Sequence, residues 1–312
     1  MKRVLVTGAN GFVCSNIVTA LIKHGYFVYA LDLYWDNPVV HTWSQQAVEL
    51  ITSDCVSIPD YQLDGLVHGA AITAEASELG MSPENYFDAH LQPMLAMSRY
   101  AAKNVSGRSI FISSSGVYRE IIGLIDETTP TTPSGLYAVA KQTTESLIET
   151  LKFEHQRDVC CIRLGNVYGK NEFIRESRPR VSFIRQMIES ALTDNQITVY
   201  TNLPEREWTF ATDIGNAVVQ LLKKEKLTYA LYNIAAAEKI EWHDIASTIA
   251  SKLSGITIDE AHYEIPSTAR FARNGILDNR RLRDDASFSS WTSFQDGIYQ
   301  TIESLQQESH HA

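Results

Sequence analysis

The first 32 residues carry, in immediate succession, a strand pattern, a glycine turn, a helix pattern and a second strand pattern. Residues 2–7 are short and mostly apolar, and the apolar residues of 12–24 recur at helical spacing. The turn between them is Thr7-Gly8-Ala9-Asn10-Gly11-Phe12-Val13-Cys14. A strand that enters a helix through such a turn gathers free backbone N–H groups and the positive end of the helix dipole at one point, which suits a pyrophosphate. This order predicts a dinucleotide-binding unit at the start of an α/β fold.

A glycine turn alone is equally typical of an ordinary tight turn, and Asp32 supplies a second indication. It follows the strand pattern 27–31 and lies 21 residues after Gly11, where a carboxylate bonds the adenosine ribose hydroxyls. The alternative is that Asp32 only ends a strand. No arginine or lysine lies between Leu31 and Leu50, and a carboxylate at this place repels a 2′-phosphate. The prediction is therefore NAD rather than NADP.

Composition and charge argue against several other classes of protein. The 312 residues carry a net charge of −10, which disfavours nucleic acid or an anionic membrane as a partner. No apolar run approaches the ~20 residues of a membrane helix, and a strand pattern at the N-terminus leaves no room for a signal peptide. The four cysteines, Cys14, Cys55, Cys160 and Cys161, lack the spacing of a metal site. We expect a cytoplasmic protein with free thiols and no metal.

Strand and helix patterns alternate through the first half of the chain. The strand patterns cover 3–7, 27–31, 47–51, 65–70, 109–113 and 159–164, and the helix patterns cover 12–24, 84–104 and 136–156. Later helices are predicted at 181–193, 211–224, 241–254 and 294–306, with strands at 197–200 and 229–234. The alternation is typical of a parallel sheet covered by helices on both faces. We predict a doubly wound (Rossmann) α/β fold with a smaller, interleaved C-terminal substrate lobe.

The change of pattern after residue 168 suggests how the chain divides. We expect 1–168 to form the NAD-binding domain, with 206–235 returning to it, and 169–205 together with 236–312 to form the substrate lobe. The charged segment 170–180 contains Arg175, Arg178 and Arg180. These arginines are interpreted either as a binding site for a phosphate or carboxylate or as a solvated charged loop.

Tyr137 and Lys141 are four residues apart in a helix pattern and therefore share one face of the helix. An ammonium group beside a phenol favours the phenolate, so such a tyrosine can act as a general acid or base toward a hydroxyl or carbonyl. This spacing is common and usually has no meaning alone. The strand pattern at 109–113 leads into Ser113-Ser114-Ser115-Gly116-Val117-Tyr118, and a strand end of this kind faces the ligand crevice. A serine there can bond the reacting oxygen, or the three serines can simply form a turn.

Taken together, these motifs resemble the extended short-chain dehydrogenase/reductase family, in its branch of NAD-dependent sugar epimerases and dehydratases. The resemblance covers nearly the whole chain and follows one order. It rests on the 7–14 turn, Asp32, Asp54, His68-Gly69-Ala70-Ala71, the 113–118 run, Tyr137 with Lys141, Arg163-Leu164-Gly165-Asn166-Val167-Tyr168-Gly169, Arg206-Glu207-Trp208-Thr209-Phe210 and Leu277-Asp278-Asn279.

The resemblance implies a role for individual residues. Those implied to bind NAD are Gly8, Asn10, Gly11, Phe12 and Val13 around the pyrophosphate, Asp32 at the adenosine ribose, Asp54 and Cys55 at the adenine, Ala70 and Ala71 along the groove, and Tyr137 and Lys141. Ser114 aligns with the catalytic serine or threonine, and Ser115 would lie nearer the substrate as the alternative. Asn166 would face the substrate, and Arg206 matches an arginine that often grips a nucleotide-sugar diphosphate.

Two departures from the family pattern bear on the chemistry. Cys14 replaces the third glycine of the turn, and we expect it to form a packing contact that leaves NAD binding intact. Ser115 and Gly116 stand where family dehydratases carry an Asp-Glu acid–base pair, and the Cys/His pair of epimerases that act next to a keto group is also absent. The remaining chemistry is hydride transfer on a secondary alcohol. A nucleotide-sugar 4-epimerase is favoured over a net dehydrogenase of a polyol, free sugar or sugar acid, and over a non-catalytic NAD-binding sensor.

Two further expectations follow from the resemblance. Helices 84–104 and 136–156 carry apolar stripes that pair across a two-fold axis in the family, so a homodimer is expected, although the stripes can instead face only the sheet. Arg270 or Arg273 is a further candidate to bind a nucleotide sugar. Arg119 replaces the glycine that usually follows the Val-Tyr pair in the family.

Overall fold

The structure is a computed structural model that describes residues 1–118, 122–264 and 275–311, with side chains as far as Glu308. Arg119, Arg270 and Arg273 lie outside these residues.

The strands run in chain order as follows. They are β1 (Arg3–Thr7), β2 (Phe27–Asp32), β3 (Val48–Thr52), β4 (Leu63–His68), β5 (Val105–Ser114), β6 (Leu124–Ile125), β7 (Val159–Leu164), β8 (Asn166–Tyr168), β9 (Gln196–Tyr200), β10 (Arg206–Phe210), β11 (Leu231–Ile234), β12 (Lys239–Ile240), β13 (Thr257–Ala261) and β14 (Ile276–Leu277).

The α-helices are α1 (Phe12–Lys23), α2 (Pro83–Asn104), α3 (Leu136–Phe153), α4 (Phe183–Asp194), α5 (Ala211–Lys223), α6 (Trp242–Lys252), α7 (Arg280–Ala286) and α8 (Phe294–His311). Seven of the α-helices described correspond to predicted ones, and α7 was not predicted from the sequence. Short 3₁₀ helices cover Pro38–Thr42 and Ser115–Val117. The α2 helix begins after Ser82, whose side chain accepts a hydrogen bond from the Asn85 N–H, with Pro83 at its first position.

A seven-stranded sheet with the order β11-β7-β5-β4-β1-β2-β3 forms the centre of the molecule. Every neighbouring pair in it is parallel. The order reverses between β1 and β4, and ligands of doubly wound sheets bind outside the carboxyl ends of the strands at such a reversal. The predicted doubly wound parallel sheet is confirmed.

Alternate residues of the strands face opposite layers of helices. Val4 and Val6 of β1 pack in one core with α1 and α5, whereas Leu5 packs in the other with α2 and α3. The same alternation separates the adjacent cysteines, since Cys160 belongs to the first core and Cys161 to the second. All four cysteines are free and buried, and burial raises the pKa of the Cys160 thiol to about 12.

A third hydrophobic core lies beyond the sheet. It contains apolar residues of α4, β9, β10, α6 and α8, among them Ile188, Ile197, Trp208 and Ile302. The strand β11 belongs to the main sheet although it follows α4 and α5 in the chain. The C-terminal half therefore contributes both a strand to the main sheet and a separate core.

Candidate active site

A cavity of about 720 Å³ lies at the carboxyl ends of the central strands. Most of the residues predicted from the sequence line it. These are Gly8, Gly11, Phe12, Val13, Asp32, Asp54, Cys55, Ala70, Ala71, Ser114, Tyr137 and Lys141. They come from the carboxyl ends of five different strands or the turns after them, from the start of α1 and from α3, so the fold rather than the local sequence brings them together.

The glycine turn between β1 and α1 has the backbone shape that a diphosphate requires. Gly8 has φ +70°, and a Cβ there would lie 2.8 Å from the backbone of Ala70, so only glycine fits. Gly11 caps α1, and no side chain caps the first turn of this helix. The N–H groups of that turn are therefore left for a ligand at the positive end of the helix dipole. The residues present fit the diphosphate of a dinucleotide.

Asp32 ends β2 at the adenosine side of the predicted cofactor site. Its carboxylate accepts hydrogen bonds from the backbone N–H of Asn10 (2.9 Å) and of Leu33 (2.8 Å). Burial raises the pKa of Asp32, while these two hydrogen bonds and the positive charge of Arg175 lower it in part. Two N–H donors fix the carboxylate in the cavity wall, in a position that suits hydrogen bonding to ribose hydroxyls.

Asp54 and Cys55 border the same end of the cavity, with different environments. The carboxylate of Asp54 accepts the N–H groups of Val56 (2.8 Å) and Ser57 (2.7 Å), which lowers the pKa of Asp54. Asp54 therefore stabilises the turn that it forms with Val56 and Ser57. Cys55 is buried, and desolvation raises the pKa of its thiol to about 12.

Cys14 packs directly against Gly69, the residue that follows β4. A Cβ added to Gly69 would overlap the Cys14 sulfur, so the two positions together hold one small side chain. Cys14 is 3% exposed, and burial raises the pKa of its thiol to about 12. The thiol is therefore protonated at neutral pH and occupies a packing position.

Tyr137, Lys141 and Ser114 meet where α3 crosses the end of β5. The Lys141 Nζ lies 5.6 Å from the centroid of the Tyr137 ring and donates to the Ile112 carbonyl oxygen at 2.8 Å. The Ser114 Oγ accepts the Gly116 N–H at 3.0 Å. A Cβ at Gly116 would lie 3.2 Å from the Ser114 Oγ and 3.7 Å from the Tyr137 ring, so Gly116 leaves room between these two side chains. The arrangement can hold a substrate hydroxyl between a serine and a tyrosine.

A buried ionic network lies beneath this group. Arg163 of β7 forms an ion pair with Glu145 of α3 at 2.7 Å, and Glu145 also accepts the Ser113 hydroxyl at 2.6 Å. Arg163 also donates to the Tyr118 hydroxyl. Glu145 lies two turns after Tyr137 on the same helix, so the network ties α3 to β5 and β7. It holds the tyrosine and the serine in a fixed relation, and the sequence motifs did not indicate it.

Two neutral histidines flank Lys141. The ring centroid of His90 lies 5.7 Å from that of Tyr137 in an edge-on arrangement. Burial first, and the charge of Lys141 second, lower the pKa of His90 to about 4 and that of His68 to about 3. The His68 Nδ1 lies 2.7 Å from the Thr7 hydroxyl. Both rings are uncharged at neutral pH, so Lys141 is the cation at this end of the cavity.

Four residues implied by the resemblance lie outside the cavity lining. The Asn10 amide donates to the Tyr34 carbonyl (2.7 Å) and to Asp36 (2.8 Å), so it fixes the loop after β2. Ser115 begins a buried 3₁₀ turn. Asn166 belongs to β8, and its amide donates to the Glu207 carbonyl at 3.0 Å. Arg206 belongs to β10, and its guanidinium carbon lies 5.8 Å from the centroid of the Phe183 ring and 5.9 Å from that of the Trp242 ring.

The segment 172–180 contributes residues that local motifs did not assign to the cofactor side. Arg175 and Arg178 line the cavity, whereas Arg180 does not. Arg180 is 67% exposed and pairs with Glu78 on the surface.

Within residues 1–118, 122–264 and 275–311, no cluster of three or more metal-ligating side chains occurs. Across the same ranges, no helix combines the length and apolar character needed to cross a membrane.

The fold and the cavity define a Rossmann-type nucleotide-binding protein with a tyrosine–lysine–serine group at the end of its groove. The sequence model of the NAD dependent epimerase/dehydratase family matches residues 4–235. The chain belongs to this family, and its cofactor is NAD.

Individual relatives are distant but span most of the chain. The uncharacterized UDP-glucose epimerase YtcB of Bacillus subtilis is 25% identical, over 79% of this chain and 81% of its own length. The dTDP-glucose 4,6-dehydratase of Streptomyces niveus is 26% identical, over 96% of this chain and 92% of its own length. The crystal structure of UDP-glucuronic acid 4-epimerase from Bacillus cereus with UDP-glucuronic acid and NAD superposes with a TM-score of 0.81. It is 22% identical and covers 98% of this chain and 99% of the epimerase.

Proposed function

We propose that this protein is a nucleotide-sugar 4-epimerase that oxidises a secondary alcohol of its substrate and then reduces the keto intermediate from the other face. The observation that carries the proposal is the group Tyr137, Lys141 and Ser114 in one cavity with the glycine turn. Three strand spacings separate the end of β5, where Ser114 lies, from the end of β2, where Asp32 lies, so these two residues are about 14 Å apart across the sheet. An extended dinucleotide fits that span with its adenosine at Asp32.

Each member of the group has a distinct part in the reaction. The chemistry that bound NAD would supply is a nicotinamide ring that can take up a hydride and give it back. Tyr137 removes the proton of the substrate hydroxyl as the carbonyl forms, and it returns the proton in the second half of the reaction. Lys141 provides positive charge beside the Tyr137 ring, and the Ser114 hydroxyl donates a hydrogen bond to the reacting oxygen.

The loop after Ser114 favours epimerisation over water elimination. A dehydratase needs a proton donor and a proton acceptor beside the keto sugar, and Ser115 and Gly116 supply neither. We propose that the lobe formed by 169–205 and 236–312 holds the nucleotide sugar.

The proposal is tested by incubating the purified protein with UDP-glucose, UDP-N-acetylglucosamine and UDP-glucuronate. We expect one of them to convert to its C4 epimer by NMR, with no net change of absorbance at 340 nm. Tyr137→Phe should lower kcat by about 10²- to 10⁴-fold, the usual contribution of a general acid–base residue. Tyr229→Phe is the matched control, because this tyrosine lies outside the cavity lining and is 38% exposed.

A net dehydrogenase is the second candidate, since the same three residues serve simple oxidation. Steady NADH formation with a sugar acid or polyol, without turnover of any nucleotide sugar, would establish that function instead. A ligand-binding function that Tyr137→Phe leaves intact, with no turnover of any substrate, would identify a sensor.

We also propose a homodimer in which α2 and α3 of the two subunits form a four-helix bundle. Apolar side chains on these helices remain partly exposed in the single chain, namely Phe87, Leu91, Leu95, Leu147 and Leu151. Sedimentation of the wild-type protein should give twice the chain mass of 35.0 kDa. Leu91→Glu should shift the protein to the monomer mass, and a wild-type monomer at micromolar concentration would contradict the proposal.

A further inference from the structure

The segment 172–180, here called the strap, crosses the mouth of the cavity from one side to the other. On the side of β2, Arg175 forms an ion pair with Asp36 at 2.7 Å. On the side of β4, the Ser177 carbonyl accepts the N–H groups of Thr73 (2.8 Å) and Ala74 (3.0 Å). The strands β2 and β4 flank β1, so the strap spans the carboxyl end of β1 and the glycine turn that follows it.

The strap has an ordered internal structure. The backbones of Arg175 and Arg178 exchange two N–H···O bonds of 3.0 and 2.9 Å, which close a tight antiparallel loop. At its base, the carboxylate of Glu172 is fully buried and accepts from the Ser182 N–H at 2.8 Å and from the Arg178 Nη2 at 2.5 Å. Glu172 therefore fixes the direction of the Arg178 side chain.

Arg178 lies against the residue that follows the glycine turn. Its guanidinium carbon lies 5.2 Å from the ring centroid of Phe12, the first residue of α1. Both residues line the cavity. The Arg178 Nε is buried, and among the described residues it has no hydrogen-bond partner. A buried guanidinium N–H without a partner costs free energy, and a phosphate oxygen satisfies such a donor with a strong charge-assisted bond.

We propose that Arg178 binds the diphosphate diester of NAD from the face opposite to the glycine turn, so that the strap closes over the bound cofactor. The α1 N-terminus then contacts one side of the diphosphate and the guanidinium the other. Nucleotide sugars carry the same diphosphate diester chemistry, but the position of Arg178 over Phe12 assigns the contact to the cofactor. The inference concerns cofactor binding, and it holds whichever sugar is the substrate.

The strap also accounts for how the cofactor is retained. NAD leaves the cavity only after the Arg175–Asp36 ion pair or the Ser177 contacts with the 73–74 backbone open. Slow release suits an enzyme that reoxidises its own cofactor in every turnover. We therefore expect Arg178 to act mainly on the dissociation rate of NAD.

The test compares Arg178→Gln with Arg180→Gln, a neighbouring arginine outside the cavity lining. Binding of NAD, ADP-ribose, adenosine and UDP is measured by calorimetry, and the release of NAD is measured by a chase with excess ADP-ribose. We expect Arg178→Gln to weaken NAD and ADP-ribose by about 10- to 100-fold, the effect of one charge-assisted hydrogen bond. Adenosine, which has no phosphate, and UDP should bind as they do to the wild type. Arg180→Gln should match the wild type for all four ligands.

Arg178→Lys protects the test against a folding defect, because it keeps a cation opposite Glu172 and loses the planar fork of donors. It should give an intermediate loss for ADP-ribose. Unchanged ADP-ribose binding in Arg178→Gln would overturn the proposal. An equal loss of affinity for adenosine and ADP-ribose would also overturn it, because that result indicates a structural effect. A loss of affinity for UDP alone would overturn it as well, because that result assigns the arginine to the substrate.

Discussion

Cys14 and Gly69 share the space that a third glycine usually provides in this turn. The sulfur fills the room above Gly69, where any Cβ would collide with it. The glycine that close packing requires therefore lies at Gly69, after β4, instead of at position 14 of α1. With this arrangement α1 still packs closely on the sheet.

This exchange predicts the behaviour of three variants. Cys14→Gly should keep NAD affinity within about threefold, while losing roughly 1–3 kcal/mol of stability from the cavity and from glycine in a helix. Gly69→Ala should destabilise the protein more, and the double variant should recover part of that loss. Calorimetric NAD titration and urea unfolding measure the two effects. Loss of NAD binding in Cys14→Gly, or additive stability losses in the double variant, would show that the two positions are not coupled.

At the scale of elements, β10 is joined to β14 and to the cavity wall through Glu207. The carboxyl group accepts the Leu277 N–H at 2.7 Å and the Thr209 hydroxyl at 3.3 Å, and it lies beside Gly165, which lines the cavity. Desolvation raises the pKa of Glu207 from 4.5 to about 7, although these two hydrogen bonds lower it in part.

The raised pKa predicts how stability depends on pH. Because the folded state binds the Glu207 proton more tightly than the unfolded chain, the free energy of unfolding falls as pH rises from about 4.5 to about 7 and then levels off. Glu207→Gln resembles the protonated acid and lacks this loss. Relative to this variant, the wild type should lose at most about 3 kcal/mol between pH 4.5 and pH 8 in urea unfolding. A pH-independent difference between the two proteins would refute the assignment.

The elements of the main sheet were predictable from sequence, and the shorter strands were not. Strands such as Val159–Leu164 and helices such as Leu136–Phe153 have strong apolar patterns, and they lie within three residues of the predicted bounds. Asn166–Tyr168 and Arg206–Phe210 form strands because they pair with each other across about 40 residues of chain. Their sequences are not strongly apolar, so local periodicity gives no signal for them.

The same distinction applies to the candidate site. The glycine turn and the pair Tyr137 and Lys141 are local motifs with a fixed spacing, so the sequence indicates them. The contact of Arg178 with Phe12 joins residues far apart in the chain, and the amide of Asn10 turns to Asp36 rather than to the cavity. Tertiary packing decides such contacts, and a single sequence does not contain that information in a local pattern.

At the scale of the whole molecule, the candidate cofactor cavity lies at the carboxyl ends of the seven-stranded sheet, and a separate core is built around α4, α6 and α8. We propose that the sheet side holds NAD and that the lobe around this separate core holds the sugar nucleotide. The strap lies between β8 and α4 in the chain and lines the cavity, so it is placed to close over the groove as proposed above. A reaction that oxidises and then reduces its substrate needs such an enclosure, because the cofactor must stay in place for both steps.

The most direct test of the central claim follows a deuterium label from the substrate through one turnover. A UDP-sugar that is accepted in the panel is labelled with deuterium at C4 and incubated with the protein and its bound NAD. Transient oxidation predicts that the C4 epimer forms with the deuterium still at C4 and that no NADH accumulates. Deuterium that collects in released NADH, or an epimer that carries solvent hydrogen at C4, would contradict the account.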